Sequence, residues 1–97
     1  MKFEKPVRWS FEKNIELKRE RSISFEEILL AVENDGEIAR TAHPNAAKYP
    51  NQKILYVNYQ GYAYMVPYVE TDEEAFLKTI IPSRKATKQY LVGSKNE

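Results

Sequence analysis

Cysteine is absent from this chain, which rules out a disulfide frame, a thiolate nucleophile and a thiolate metal site. That composition suits a reducing cytosol, and a cytoplasmic location is the expectation. No apolar run approaches the roughly 18 residues that a membrane span needs. The N-terminus lacks the apolar core of a secretory signal. There is no zinc, calcium-loop or phosphate-loop pattern and no Gly-x-Ser-x-Gly elbow, and Asp72-Glu73-Glu74 lacks calcium-loop spacing. No cofactor or metal is expected. A net charge of only +1 argues against a generic polyanion binder.

What the chain does contain is an ordinary globular composition, 42% hydrophobic and 30% charged over 97 residues. That allows one domain, 1–97, with a modest ordered core over about residues 7–91. The charges fall in blocks. Cations dominate residues 1–22 and 78–97, whereas acids dominate 23–42 and 70–77. Such blocks let one surface meet an acidic partner or nucleic acid while another meets a basic partner.

Val7-Arg8-Trp9 reads as a short strand after a loose Met1–Lys5. Ser10 is a good N-cap for a helix from Phe11 to about Arg21. Ser24-Phe25-Glu26-Glu27 fits a capping box opening a second helix to about Glu33. Phe25, Ile28, Leu29 and Val32 give that helix an apolar face. Gly36 is placed to take the left-handed conformation of a helix stop. Strands follow over Glu37–Thr41, Lys53–Tyr59, Tyr62–Val69 and Ala75–Ile81. His43–Gln52, with Pro44 and Pro50, is a long loop, and Gln60-Gly61 a tight hairpin turn. Pro67 needs an edge or a bulge. Pro82–Leu91 is a last helix, and Val92–Glu97 a polar tail. The fold class is α+β: a small antiparallel sheet, two N-terminal helices on one face and a short C-terminal helix.

Alternation sorts the strand residues into two sets. Ile54, Tyr56, Ala63, Met65, Val69, Leu77 and Ile81 are expected to face the N-terminal helices as core. Lys53, Leu55, Val57, Tyr62, Tyr64, Val66, Tyr68, Phe76, Lys78 and Ile80 form the other set. Its mixture of lysines and rings suits a nucleic-acid platform, where rings stack bases and ammonium groups meet phosphates. Cross-strand aromatic pairing beneath the C-terminal helix or a partner chain accounts for the same residues.

The segment Phe76–Thr87 reads as a buried strand that turns into a helix at Pro82. Arg84 and Lys85 stand at the start of that helix, where the backbone already presents positive charge. An anion such as phosphate would complete that arrangement. An ordinary solvated helix end is the other reading.

Trp9-x-x-x-Lys13-Asn14, then Arg19, then Ile23-Ser24-Phe25-Glu26-Glu27 resembles the BrnT family of type II toxin–antitoxin toxins. Ile80–Thr87 resembles that family's Ile-Ser-Ala-Arg-Arg-Ala-Thr stretch, with Arg84 and Lys85 on its two basic positions. The likeness spans most of Trp9–Leu91. Ser10 stands where Asp is usual, Ser22 where Gly is usual, and Pro82-Ser83 where Ser-Ala is common. Tyr90 occupies the place of a frequent Glu, and a non-catalytic protein-binding or nucleic-acid-binding module of the same fold is the alternative reading. The resemblance implies a RelE-like fold and an endoribonuclease that inhibits translation by acting on RNA, on the ribosome or free. It implies a cognate antitoxin with a ribbon-helix-helix part, with DNA met only through that antitoxin and no membrane partner.

RNA cleavage through the ribose 2′-hydroxyl needs a base, cations on the phosphorane charge and a proton donor for the leaving oxygen. Arg84 and Lys85 are the candidates for the charge. His43, the sole histidine, could serve as acid or base, or could be a structural loop residue. Lys53 and Lys78 could extend the basic patch. Tyr56, Tyr64 and Tyr68 could stack bases or donate a proton. Lys13 could touch substrate from the first helix or be a solvated helix cation.

Overall fold

A computed structural model describes residues 3–92. Strand β1 (Val7–Trp9) leads into helices α1 (Phe11–Arg21) and α2 (Phe25–Glu33). Strands β2 (Glu37–Ala42), β3 (Gln52–Tyr59), β4 (Tyr62–Glu70), β5 (Ala75–Leu77) and β6 (Ile81–Pro82) follow. The C-terminal helix α3 (Arg84–Ala86) widens into a π-helical stretch over Thr87–Val92. The protein is a small α+β fold with a mixed sheet in the order β1-β5-β4-β3-β2. The sheet is not the wholly antiparallel one expected: β1 and β5 run parallel, the other pairs antiparallel. Among the described residues no helix is long and apolar enough to cross a membrane.

The local signals act where they stand. Ser10 caps α1 by accepting the Lys13 N–H at 3.1 Å. Ser24 and Glu27 close a full capping box on α2. The Gln60-Gly61 turn joins β3 to β4 with both residues at positive φ, 55° and 83°, the backbone of the tight turns that match strand twist. The stop of α2 differs from expectation: Asp35 takes the left-handed conformation, at φ 67°. Gly36 is needed for room instead. A Cβ there would lie 2.6 Å from the Ala31 carbonyl oxygen and 2.9 Å from that of Asn58.

Three further expectations are corrected. Phe3–Lys5 is not loose: the Phe3 ring meets Tyr68 edge-on at 5.4 Å, and Lys5 Nζ donates to the Thr71 carbonyl at 2.6 Å. Ala75–Ile81 is not one strand. It splits into β5 and β6, which pair with opposite halves of β4 and leave Val66 and Pro67 between them. Pro67 has no N–H for a ladder on that side, and its carbonyl accepts the Lys78 N–H at 2.8 Å. The last helix starts at Arg84, capped by Ser83, because Pro82 is still paired in β6. The expected polar tail lies, past Val92, outside the described residues.

The largest correction concerns the two faces of the sheet. Leu55, Val57, Val66, Tyr68 and Leu77 are buried in one cluster with Leu17, Phe25, Ile28 and Val32 of the N-terminal helices. In β3 and β4 the set that mixed lysines with rings is therefore the core face, whereas Leu77 of β5 lies in the core as expected. The polar members of that set sit at strand ends, on the rim. Ile54, Tyr56, Met65 and Val69 turn to the opposite face, which only the C-terminal helix partly covers. The phase of β5 also shifts by one, because Thr71–Glu74 is a four-residue connection and Tyr68 pairs with Leu77.

Candidate functional site

Most of the residues that carry the family likeness hold the fold together. Trp9 stacks on Phe25 with ring centroids 5.4 Å apart. Asn14 is 4% exposed. Its Nδ2 donates to Glu26 Oε1, and its Oδ1 accepts the Phe25 N–H, both at 2.8 Å. One side chain thus ties α1 to the first turn of α2. The Asn14 amide holds the Glu26 carboxyl below its ordinary range. Glu27 closes the capping box with one oxygen, and its other accepts the Tyr59 hydroxyl at 3.0 Å. That acceptance favours the protonated phenol and pushes Tyr59 up. Lys13 lies on this helical side of the sheet, 3.8 Å from Glu16.

The opposite face carries a groove of about 270 Å³. Its floor is Tyr56 and Met65, paired across β3 and β4. Its wall is the C-terminal segment, through Ser83, Lys85, Ala86, Gln89 and Tyr90. A compact knot fixes that wall. Thr87 Oγ1 accepts the Ala63 N–H and donates to the Ser83 carbonyl, both at 2.8 Å. The Ser83 N–H donates to the Ala63 carbonyl at 3.0 Å. Ala63 and Ala86 are both buried, and their small side chains let helix and strand approach. The Tyr90 ring then reaches Tyr56, centroids 5.6 Å apart and tilted by 51°.

Apart from the Ser83 hydroxyl, which caps the helix, the polar side chains of this groove are uncommitted. Among the described residues, no carboxylate lies within ion-pair distance of Lys85, and the Tyr56 hydroxyl, the Tyr90 hydroxyl and the Gln89 amide have no protein hydrogen-bond partner. At the far end of the sheet the cations are engaged. A larger depression of about 640 Å³ at the far end of the sheet contains Lys5, Lys53 and Glu70. There Glu70 lies 2.9 Å from Lys53 Nζ and 3.3 Å from Lys5 Nζ. The Lys53 hydrogen bond, helped by Lys5, holds Glu70 low, and Glu70 raises Lys53 in turn. Glu70, with Asp72 also lining the depression, balances the charge of the two lysines. The smaller groove is therefore the better candidate for binding an anion.

The structure brings Lys85 and Tyr56 together, and leaves the other expected site residues elsewhere. Arg84 is exposed at the outer side of the groove wall, and Lys78 is exposed beyond β5. Lys53 faces the helical side and is held by Glu70. Tyr68 is 1% exposed, and its hydroxyl accepts from Arg40 at 3.4 Å. Tyr64 is half-buried against Tyr59 and Tyr62. His43 sits beside Gln52, the far end of β3, about 13 Å along the strand from Tyr56 at strand spacing. Its Nδ1 accepts the Asn45 N–H at 2.9 Å, and its ring leans on Tyr49. His43 thus organises its loop and does not line the groove.

Sequence reasoning missed Ser83, Gln89 and Met65 as groove residues, and noted Tyr90 only as a departure from the family pattern. Helical spacing carries a signal for two of them: Gln89 and Tyr90 follow Lys85 and Ala86 by four residues, on one helix face. The class is a small α+β protein with a ring-lined, singly cationic groove between sheet and C-terminal helix. Comparison with protein-family models, with curated proteins and with solved structures found no match.

Proposed function

We propose that this protein is an endoribonuclease toxin of a type II toxin–antitoxin pair, with a RelE-like fold of the BrnT kind, and that the groove is where it holds RNA. The observation carrying the proposal is the grouping of Lys85, free of any acidic partner among the described residues, with the open hydroxyls of Tyr56 and Tyr90. An ammonium group recognises a phosphodiester, and the rings accept an unpaired base. The residue likeness over Trp9–Leu91 supports the same reading.

In this mechanism the ribose 2′-hydroxyl attacks the adjacent phosphorus. The bond to the 5′-oxygen breaks, leaving a 2′,3′-cyclic phosphate and a 5′-hydroxyl. Lys85 Nζ stabilises the extra negative charge on the non-bridging oxygens. A tyrosine hydroxyl of the groove passes a proton between the reacting oxygens. A cognate antitoxin of ribbon-helix-helix type silences the protein, and contact with DNA runs through that antitoxin.

The test is cleavage of a labelled RNA by purified protein, with product ends analysed. Lys85→Ala is expected to lower kcat by about 100-fold or more, with unchanged thermal unfolding. A substrate lacking the 2′-hydroxyl is expected to survive intact. Equal cleavage by Lys85→Ala and wild type would remove Lys85, and with it this mechanism. A second reading has its own observation: no imidazole or carboxylate lines the groove among the described residues. A module that binds RNA without cutting it would bind in the same experiment and yield no product.

A further inference from the structure

The described cations divide into two populations. Lys5, Arg8, Lys13, Arg40 and Lys53 each lie within ion-pair distance of a carboxylate. Lys18, Arg19, Arg21, Lys48, Lys78, Arg84, Lys85 and Lys88 have no carboxylate within that distance among the described residues. Five of these, Arg21, Lys78, Arg84, Lys85 and Lys88, follow one another along one side of the fold. Arg21, in the last turn of α1, donates from Nη1 to the Ile80 carbonyl at 2.5 Å. That bond brings the end of α1 to the link between β5 and β6, where Lys78 is exposed. β6 follows directly, paired to β4 at Met65, a residue of the groove floor. Arg84 and Lys88 then stand four residues apart on the C-terminal helix, beside Lys85. Residues 78–92 contain no acid to offset them.

Like charges held together without counter-charges are a cost to the folded chain that a polyanion removes. We infer that this band is a track for the backbone of single-stranded RNA, running from the groove over the β6 edge to the C-terminal end of α1. The inference deepens the proposed function and rests on it: the substrate is a strand extending several nucleotides to one side of the linkage held at Lys85. Two features select a single strand. A groove of about 270 Å³ has no room for a duplex. Its floor and wall offer tyrosine faces that only an unpaired base can meet.

The test measures binding of a 12-nucleotide RNA carrying 2′-O-methyl groups throughout, which cannot be cut by 2′-hydroxyl attack. Anisotropy is recorded over a range of salt for wild type, Lys85→Ala, and the double variant Lys78→Glu with Lys88→Glu. The 12-mer is expected to bind wild type at least ten-fold more tightly than a 3-mer of the same kind. The double variant is expected to lose about ten-fold in affinity at low salt. Its slope of log affinity against log salt should shrink by about 0.7 for each phosphate that the protein no longer neutralises. Unchanged affinity and slope in a double variant with wild-type thermal unfolding would overturn the track. So would tighter binding of a duplex, or equal competition by polyglutamate. Cleavage of unmodified RNA is scored separately, so loss of the nuclease reading and loss of the track give different results.

Discussion

Asn14 shows what one buried polar residue does here. Both ends of its amide are used, one on the Glu26 carboxylate and one on the Phe25 N–H. The sequence marks Asn14 only as part of a family signature beside Lys13. Its partners lie 11 and 12 residues away, and their meeting depends on the angle between two helices. Replacing Asn14 with Ala leaves a buried N–H without its acceptor. The expected cost is about 2 kcal/mol of unfolding free energy, read from urea denaturation. A variant as stable as wild type would show that water replaces the amide at no loss. Glu27 behaves in the mixed way of a residue that is half legible. Its capping-box role follows from the spacing to Ser24, whereas its bond to Tyr59 exists only because β3 lies under α2.

At the scale of elements, the local rules succeed where neighbours in sequence supply both partners. Helix starts at Ser10 and Ser24 and the hairpin at Gln60-Gly61 belong to this class. Gln60 is the weak point of the hairpin, since its φ of 55° is one that a long side chain rarely adopts. Gln60→Asn is expected to raise stability by about 0.5–1 kcal/mol, seen as a rise of a few degrees in Tm. A lower Tm would mean that the Gln side chain is needed at the turn. The rules fail where long-range pairing decides. The break between β5 and β6 is one case, for it arises from the missing N–H of Pro67 on the neighbouring strand. Gly36 is another, required by its closeness to Ala31 and Asn58 and not by its own φ.

At the scale of the whole molecule, the sheet separates two jobs. One face is core and interlock, the other carries the groove. Carboxylates maintain the interlocked side. Glu26 and Glu70 both have folded pKa values below the ordinary 4.5, through Asn14 and through Lys53 with Lys5. The folded state therefore binds fewer protons than the unfolded chain in acid. Their contribution is full above about pH 4.5 and disappears as the pH falls through the folded values. Glu70→Gln is expected to be less stable than wild type at pH 7, by at most about 1 kcal/mol because the site is partly solvated. The difference should shrink as the pH is taken from 7 down through the folded value of Glu70. Urea midpoints across that range check it, and an undiminished difference in acid would mean that Glu70 acts through packing and not charge.

The amino-acid order alone settled the N-caps at Ser10 and Ser24, the hairpin turn, the α+β class and the sorting of β3 and β4 residues into two alternating sets. It also singled out Lys85 and Tyr56, two residues of the groove. These depend on neighbours close in the chain, whose geometry backbone stereochemistry imposes. Only the tertiary structure decided which set faces the N-terminal helices. Alternation is symmetric with respect to the two sides of a sheet, and the choice falls to how Leu55, Val57, Val66 and Tyr68 fill the space beneath Phe25, Ile28 and Val32. That choice puts Tyr56 on the open face, where the Thr87 knot fixes the C-terminal helix and brings Tyr90 against it.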